Sequence, residues 1–305
     1  MLIYSLKKIL RMVCTVFFVI SVVFIFSRLT GDPTLYLLSD DAPLSARIEL
    51  REQLGLDRPI MEQYSSYISG LTRGDMGTSF AFQKPVVDLY AEALPKTIQL
   101  GIPALIISVM AGVFLGVVSA VKKDSALDRI TMVSSVVGYT IPQFVLGIIM
   151  IYVFSLKLKL FPSGGYGTIR HLIMPVLVSC FGPLAKVSRL TRSSMLEVIN
   201  SDFLRAIKAK GASKHALVFR HALRNSLIPV LTIVGMEVGG IIGGSAIIES
   251  VFAWPGVGRL ITESAIQRDF PVLQYGILIS AAAVTITNTL VDLSYAYIDP
   301  RIRES

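Results

Sequence analysis

The sequence predicts an all-α integral membrane protein with six transmembrane helices. The first observation is composition: 53% of the 305 residues are apolar and 16% are charged, whereas soluble domains carry about 25% charged residues. The second is that long uncharged stretches recur along the whole chain, and a helix needs about 20 apolar residues to cross a bilayer. The third is that Lys and Arg concentrate on one side of these stretches, as they do in oriented membrane proteins.

Six stretches have the composition of membrane spans, and Glu237 is the single charged residue within them. The first stretch is not followed by the small residues of a signal-peptidase site, so we interpret it as an uncleaved span. The fourth is the shortest and contains Pro175 and Pro183. The predicted spans are 12–27, 97–121, 130–156, 172–185, 225–248 and 271–291.

The distribution of basic residues predicts that both termini are cytoplasmic. Six spans place the termini on one side, and that side holds 17 Lys and Arg residues, including Arg301 and Arg303. The two short loops of the other side hold five, and the positive-inside rule assigns the richer side to the cytoplasm. The net charge of +8 is therefore mostly a topology signal. It predicts a lipid bilayer as the environment and no nucleic acid as a partner.

The chain divides into two predicted parts. Residues 1–96 form the first transmembrane helix and an extracytoplasmic helical cap, and residues 97–305 form a five-helix core. The outer segment is too long to be a bare connection. Pro43, Pro59 and Pro85 each mark the start of a short predicted helix, since proline fits the first turn of a helix. The cap either packs only on the membrane core or also docks a partner, and the sequence leaves both open.

The predicted cytoplasmic loop 186–224 carries nine basic and two acidic residues together with an apolar helical pattern. Gly211 suits the left-handed position that ends a helix, and Ser213 can cap the next one. The pattern favours a docking surface for a cytoplasmic protein over a basic face that only contacts lipid. The apolar stripe before the turn consists of Phe203, Leu204, Ala206 and Ile207.

The predicted outer loop 249–271 has the features of a re-entrant scoop. Pro255 followed by Gly256 is the order that a type II turn requires, and apolar residues follow at helical spacing. Irregular backbone near a membrane must be covered by protein or line a wet cavity. We therefore predict that Glu249, Trp254, Pro255 and Gly256 form a scoop that packs against the helices.

Glycines recur at every fourth position of the fifth predicted span, at Gly235, Gly239 and Gly243. Small residues at this spacing allow two membrane helices to approach closely. The interface could be static packing or a surface along which helices slide. Glu237 lies in the same span and either lines a transport path or bonds a neighbouring helix, since carboxylates within spans are functional candidates.

Several motifs of enzymes are absent from the sequence. No Gly-Lys pair occurs, so the chain has no phosphate-binding P-loop. Among the three histidines, the spacing of His215 and His221 does not place them on one helical face, so no metal site is expected. We predict a protein that is not an enzyme and has no catalytic residues or bound cofactor.

Residues 205–213 resemble the coupling loop of ATP-binding-cassette (ABC) importer permeases, whose general pattern is Glu-Ala-Ala, three residues, then Gly. Ala206 and Gly211 match that pattern, whereas Arg205, Ile207 and Arg224 depart from it. The departures are typical of the peptide and nickel branch, in which Arg-Ala-Lys-Gly is followed by Arg-His-Ala-Leu-Arg-Asn. This chain has Lys-Ala-Lys-Gly at 208–211 and Arg-His-Ala-Leu-Arg-Asn at 220–225.

Further segments resemble the same branch, from about residue 28 to residue 275. The long outer segment with Leu-Gly-Leu-Asp is typical of the first, B-type permease subunit of such systems. The matching segments are Gly31-Asp32-Pro33, Leu54-Gly55-Leu56-Asp57-Arg58-Pro59, Gly74-Asp75-Met76-Gly77-Thr78-Ser79, Glu249-Ser250-Val251-Phe252-Ala253-Trp254-Pro255-Gly256 and Arg268-Asp269-Phe270-Pro271.

The resemblance implies a type I ABC importer permease in the bacterial cytoplasmic (inner) membrane, spanning it several times. It implies four partners: a homologous second permease that completes a heterodimer, two ABC ATPase subunits that hold ATP and Mg²⁺, and an extracytoplasmic substrate-binding protein. The residues implied to contact an ATPase are Phe203, Arg205, Ala206, Ile207, Lys208, Lys210, Gly211, Ala212 and Ser213.

The implied cargo is a dipeptide or oligopeptide, and nickel complexes or glutathione-like compounds are alternatives. A rival class is an ion-coupled secondary transporter that uses Glu237 as its ion site and needs no ATPase. Such transporters often contain inverted repeats, and we find none in this sequence. An intramembrane enzyme is disfavoured because its motifs are missing.

Overall fold

The computed structural model of the protein describes residues 2–29, 34–38 and 42–298. Within these ranges the regular structure is helical, apart from one isolated bridge between Thr78 and Pro85. The segment Gly31-Asp32-Pro33 and the basic residues Arg301 and Arg303 lie outside the described residues.

The first predicted span and the cap helices are confirmed as helices. Helix α1 covers Leu2–Leu29, and the cap contains α2 (Thr34–Leu37), α3 (Leu44–Gln53) and α4 (Ile60–Arg73). Pro43 and Pro59 directly precede α3 and α4, as predicted.

Aromatic contacts join the cap to the first span. The buried ring of Phe24 lies 5.2 Å from the ring of Tyr64 and 5.5 Å from that of Tyr67. The hydroxyl oxygens of Ser21 and Tyr64 are 2.7 Å apart. Because Phe24 and Ser21 belong to α1 and both tyrosines belong to α4, these contacts pack the cap against the C-terminal half of the first span.

Pro85 begins a helix, as predicted, but this helix is not a separate third helix of the cap. Pro85 directly precedes helix α5, Val86–Val121, which continues through Pro95 and Pro103 for 36 residues. The predicted limit between residues 96 and 97 therefore falls inside one helix. Tertiary burial extends the helix outward, because its first turns form a small core with residues from the C-terminal part of the chain. This core contains Val86, Tyr90, Ala93, Val257 and Val272.

The third predicted span, 130–156, is not one straight helix. It consists of α6 (Ala126–Thr140) and α7 (Gln143–Met150), and α7 continues as a π-helix over Ile151–Lys157. The two parts are bent by 99° at the break between them. Ile141 adopts an extended conformation there, because the ring of a following proline disfavours the helical conformation.

The fourth span is longer than predicted and takes up the first part of the predicted loop 186–224. Helix α8 covers Ile169–Ile199 and contains both Pro175 and Pro183. Glycines of α5 let it pack closely: a Cβ on Gly116 would lie 2.6 Å from Cβ of Thr191. This packing of α5 on α8 explains why the helix continues beyond residue 185.

A short helix follows the fourth span. Helix α9 covers Asp202–Ala209, and its first turn is capped by Ser201, whose hydroxyl accepts a hydrogen bond from the Leu204 amide at 3.4 Å. The chain then turns at Gly211 and enters the next long helix. Ser213 caps that helix as predicted, because its hydroxyl accepts a hydrogen bond from the Ala216 amide at 3.3 Å.

The fifth span begins and ends earlier than predicted. A π-helix over Ala216–Ala222 leads into α10, Leu223–Ile242. The predicted limits 225 and 248 are therefore wrong, because Gly244, at φ +71°, ends the helix before residue 248. Helix α11 (Ala246–Val251), helix α12 (Val257–Ile266) and helix α13 (Phe270–Ile298) complete the described chain.

The all-α membrane fold is confirmed for the part of the chain that the structure describes. Five helices there are long and apolar enough to cross a membrane, and the bent pair of α6 and α7 raises the number to six if it counts as one span. The amide of Gly165, just before α8, donates to the carbonyl of Phe252 at 2.8 Å, so α8 begins beside the scoop and ends beside α9. We call these two ends of the bundle the scoop side and the α9 side. The cytoplasmic location of the termini stays a prediction.

A buried ion pair joins three spans on the α9 side. Arg192 of α8 donates from Nε and Nη2 to the two carboxylate oxygens of Asp128 in α6, each at 2.7 Å. The hydroxyl of Ser119 in α5 also donates to Asp128. The ends of α5, α6 and α8 are thereby fixed to one another directly beside α9.

Candidate functional site

Helix α9 presents an exposed face while one side chain anchors it to the bundle. Leu204 is 6% exposed, whereas Phe203 is 54% exposed and Ala206 is also exposed. Successive residues of an α-helix are rotated by about 100°, so Ala206 lies on the side of α9 opposite Leu204. The residues that surround the Leu204 side chain come from three elements and form one cluster: Val117, Ala120, Met195 and Ala222.

The predicted coupling residues lie together on and directly after α9. Seven of the nine are exposed, and Ile207 and Ala212 are half-buried. Gly211 has φ +85°, as its predicted place at the helix end requires, and apart from its chain neighbours no heavy atom of the described residues lies within 4 Å of where a Cβ would be. Glycine is therefore needed here for its backbone conformation and not for space. Arg205 pairs with Asp202 at 3.0 Å on the exposed surface.

The predicted glycine spacing forms the contact between α10 and α13. A Cβ on Gly235 would overlap Cγ2 of Val291, and a Cβ on Gly239 would lie 3.1 Å from Cα of Val284. Gly243 approaches Ser280 in the same way, at 3.1 Å from its Oγ. The glycines of α10 thus face α13 of the same chain, and they allow the backbones of the two helices to approach closely.

We expect Gly235→Ala to destabilise the protein, because Val291 is β-branched and has little freedom to move away. Overpacking of this kind costs about 1–3 kcal/mol, and thermal unfolding of the detergent-solubilised protein measures it. Gly240→Ala is the matched control on the same helix, since nothing lies within 4 Å of the added methyl group. Equal melting temperatures for both variants and the wild type would contradict a close contact of α10 with α13.

Glu237 both bonds a neighbouring helix and lines a cavity. Nζ of Lys186 in α8 lies 2.9 Å from Oε1 of Glu237, and the two side chains are 44% and 26% exposed. The cavity lies between α5, α8, α10 and the scoop and has a volume of about 240 Å³. Its polar lining consists of Thr97, Gln143, Ser179, Glu237, Ser245 and Glu249. The two alternatives for Glu237 are therefore compatible with each other.

The scoop is a helix–turn–helix built around the buried carboxylate of Glu249. Thr97 donates to Oε1 at 2.9 Å, and the Arg259 amide donates to Oε2 at 3.0 Å. The side chain is fully buried. Burial raises the pKa of the Glu249 carboxyl above its ordinary value, and the hydrogen bonds from Arg259 and Thr97 oppose that rise.

The predicted type II turn at Pro255 and Gly256 is wrong. Gly256 has φ −103°, and the left-handed residue of this segment is Ala253, at φ +49°. Gly256 is required for space instead, since a Cβ there would lie 2.5 Å from Thr97 Oγ1 and 2.6 Å from Glu249 Cδ. Pro255 is half-buried beside it.

Trp254 fixes the turn of the scoop to the bundle. Its side chain is 1% exposed, and its indole Nε1 donates to the Lys96 carbonyl at 2.9 Å. Its ring meets that of Tyr166 edge-on, with the centroids 5.0 Å apart. The predicted packing of the scoop against the helices is thus present, with Trp254 in the core formed by Ile248, Phe252 and neighbouring helices.

Sequence reasoning missed several partners of these residues. Lys186 directly follows the predicted fourth span, and a longer span would have placed it opposite the charge of Glu237. Thr97 carries no local signal. Leu204 was predicted as part of an apolar stripe with Ala206, but it faces the bundle instead, because its contacts are with distant parts of the chain. The same holds for the pair of Asp128 and Arg192.

A bundle of apolar spans with a short exposed helix on one side and a buried scoop on the other defines a membrane-embedded transport subunit. Residues 112–304 match the family model described as binding-protein-dependent transport system inner membrane component. Residues 1–101 match the model of the N-terminal part of such membrane components. The chain belongs to this family, and it is an inner-membrane permease of an ABC importer.

Two curated relatives match almost the whole chain. The dipeptide transport system permease protein DppB of Alkalihalophilus pseudofirmus is 36% identical, over 99% of this chain and 100% of its own length. The glutathione transport system permease protein GsiC of Escherichia coli is 38% identical, over 99% of both chains. The B-type resemblance is thereby confirmed. The family implies an importer with further permease, ATPase and binding-protein components.

Proposed function

We propose that this permease forms half of a translocation pathway for peptides and that an ATPase subunit drives it through α9. The observation that carries the proposal is the arrangement of α9. Phe203 is 54% exposed and Ala206 is exposed on the free side of the helix, while Leu204 on the other side is buried in the bundle. The buried leucine anchors α9 to the bundle, and the exposed Phe203 and Ala206 leave its other side available to a partner.

Displacement of α9 would reach three membrane helices at once. The cluster around Leu204 contains Val117 of α5, Met195 of α8 and Ala222 of the segment that leads into α10. ATP and Mg²⁺ would be held by two ATPase subunits on the cytoplasmic side, and their approach would move α9 together with these helix ends. The permease itself needs no catalytic residue for this role.

The cavity beside Glu237 is the part of the pathway that this chain supplies. A homologous second permease would close it from the other side, and an extracytoplasmic binding protein would deliver cargo to the scoop side. The two relatives are named for dipeptide and glutathione transport, which supports a short peptide as the cargo. Glutathione-like compounds remain an alternative cargo, and nickel complexes are a further one.

Purification and uptake test this proposal. The permease, extracted in mild detergent, should copurify with a P-loop ATPase and a second permease. A strain that lacks the permease should lose uptake of a labelled dipeptide, and the purified complex should take up the peptide in proteoliposomes only when ATP and the binding protein are present. Uptake driven by a proton gradient without any ATPase would instead support a secondary transporter that uses Glu237.

A further inference from the structure

The ion pair of Lys186 and Glu237 lies well inside the membrane-spanning part of the chain. Lys186 is near the middle of α8, and Glu237 lies in α10 just before that helix ends at Ile242. Charged side chains within spans are energetically costly and occur mainly where they serve a path or a ligand. A contact that served packing alone could be made by apolar side chains at lower cost.

Glu237 lines the cavity beside the pair, whereas Lys186 lies next to Glu237 on the adjacent surface of α8. The pair is joined by a single contact of 2.9 Å, and 44% of the Lys186 side chain and 26% of the Glu237 side chain are exposed. A carboxylate can accept about four hydrogen bonds and an ammonium group can donate three. Each group can therefore bind a second partner of opposite charge, and the flexible stem of a lysine allows its ammonium group to swing away.

The adjoining cavity offers neutral polar groups and room for a peptide backbone. Oγ of Ser179 lines the cavity and is buried without a hydrogen-bond partner. Such groups are rare in folded proteins and indicate a missing partner. Gly101, Gly240 and Gly244 also line the cavity, and no heavy atom lies within 4 Å of where a Cβ on Gly240 would be.

We propose that Lys186 and Glu237 are a binding site for the two charged ends of a zwitterionic peptide in passage. Glu237, in the cavity wall, takes the ammonium end, and Lys186, which lies beside Glu237, takes the carboxylate end. This inference rests on the proposed peptide pathway and adds the residues that select the cargo within it.

Charge balance explains why a pair suits this cargo. A zwitterion that enters the membrane loses hydration at both ends, and each unpaired charge in a low-dielectric interior is strongly disfavoured. When the peptide inserts, one ion pair is replaced by two, so no charge is left without a partner. When the peptide leaves, the protein pair forms again, and the empty site is also neutral.

Uptake of end-blocked peptides tests the site. The complete complex, with its second permease, ATPases and binding protein, is placed in proteoliposomes, and initial rates of ATP-driven uptake are measured. The probes are one labelled dipeptide, its N-acetylated form and its C-terminal amide, each at a concentration that saturates the binding protein. Because the binding protein is the same in every sample, a change in the ratio of rates reports the permease.

Each single substitution should affect one end of the peptide. Glu237→Gln should reduce the preference for the free dipeptide over its N-acetylated form by roughly tenfold, since a hydrogen bond to a charged group is lost. The preference of the Glu237→Gln variant for the free dipeptide over the C-terminal amide should stay unchanged. Lys186→Gln should reduce the preference for the free dipeptide over the C-terminal amide and leave the preference over the N-acetylated form unchanged. The charge-retaining variants Glu237→Asp and Lys186→Arg should keep both preferences.

The matched control is Asp292→Asn, which removes the carboxylate of another ion pair, with Lys8 at 2.5 Å, outside the cavity. It should leave both ratios at the wild-type value. If a single variant fails to assemble, the double variant Lys186→Met, Glu237→Met removes both charges together and should lose both preferences.

Two results would overturn the proposal. If ATP-driven uptake persists in the assembled single or double variants and both ratios equal those of the wild type, the pair serves packing and not cargo. If the wild-type complex transports none of the three peptides, the peptide pathway itself is wrong and this site falls with it. The wild-type measurement therefore separates the two failures.

Discussion

Ala206→Asp should abolish ATP-driven transport while the permease stays folded. Ala206 lies on the exposed side of α9, opposite the buried Leu204, so a carboxylate there meets water in the isolated chain. In the assembled importer it would lie unpaired in a desolvated interface, which costs several kcal/mol. We expect transport below about 1% of the wild-type rate, since each 1.4 kcal/mol is a factor of ten.

Ala91→Asp is the control for this prediction, because it makes the same substitution at an exposed position of α5 on the scoop side, away from α9, and should leave ATPase copurification and the melting temperature at the wild-type values. Copurification of the ATPase, the melting temperature and the uptake rate are measured for both variants. Gly211→Val is a second test, since a β-branched residue is strained at φ +85° and should change the direction in which the chain leaves α9. Wild-type transport by Ala206→Asp and Gly211→Val would remove α9 from the coupling path.

Trp254→Ala should cause the largest loss of stability of any single substitution in the scoop. The side chain is 1% exposed and its indole donates to the Lys96 carbonyl, so alanine leaves a cavity and loses this hydrogen bond. Large-to-small changes of this kind cost about 3–5 kcal/mol. Thermal or denaturant unfolding of the purified permease in detergent measures the effect.

Trp254→Phe separates packing from hydrogen bonding. Phenylalanine keeps an aromatic ring against Tyr166 and loses the hydrogen bond to Lys96. The loss of stability should therefore be clearly smaller for Trp254→Phe than for Trp254→Ala. Binding of the substrate-binding protein to the complex is measured in parallel. If Trp254→Ala melts at the wild-type temperature, the scoop is not held by this residue. If only transport changes, the residue acts in docking instead.

Local signals in the sequence predicted the features that depend on local chemistry. The apolar runs predicted the spans, and Gly211 and Ser213 predicted the end of α9 and the cap of the next helix, because backbone conformation and capping are decided by near neighbours. Pro142 carried the signal for the break between α6 and α7, but the long uncharged run was interpreted as one continuous span.

Other features depend on residues that are distant in sequence. Gly256 looked like part of a turn, yet its role is to leave room for Thr97 and Glu249. The bond of Thr97 to Glu249 and the contact of Gly235 with Val291 join different spans, and one sequence does not reveal such pairs. The same limit hid the outward extension of α5, which is stabilised by burial against the C-terminal helices.

The hydroxyl of Thr97 links the scoop to the membrane-spanning helices. It donates to Glu249 and accepts from the Val257 amide at 2.7 Å, so the scoop is fastened to α5, and the close contact of Gly116 with Thr191 fastens α5 to α8. A helix of 31 residues is about 46 Å long. We therefore expect the scoop, α5 and α8 to move together, so that a displacement of the scoop at one end of the bundle also displaces the end of α8 beside α9.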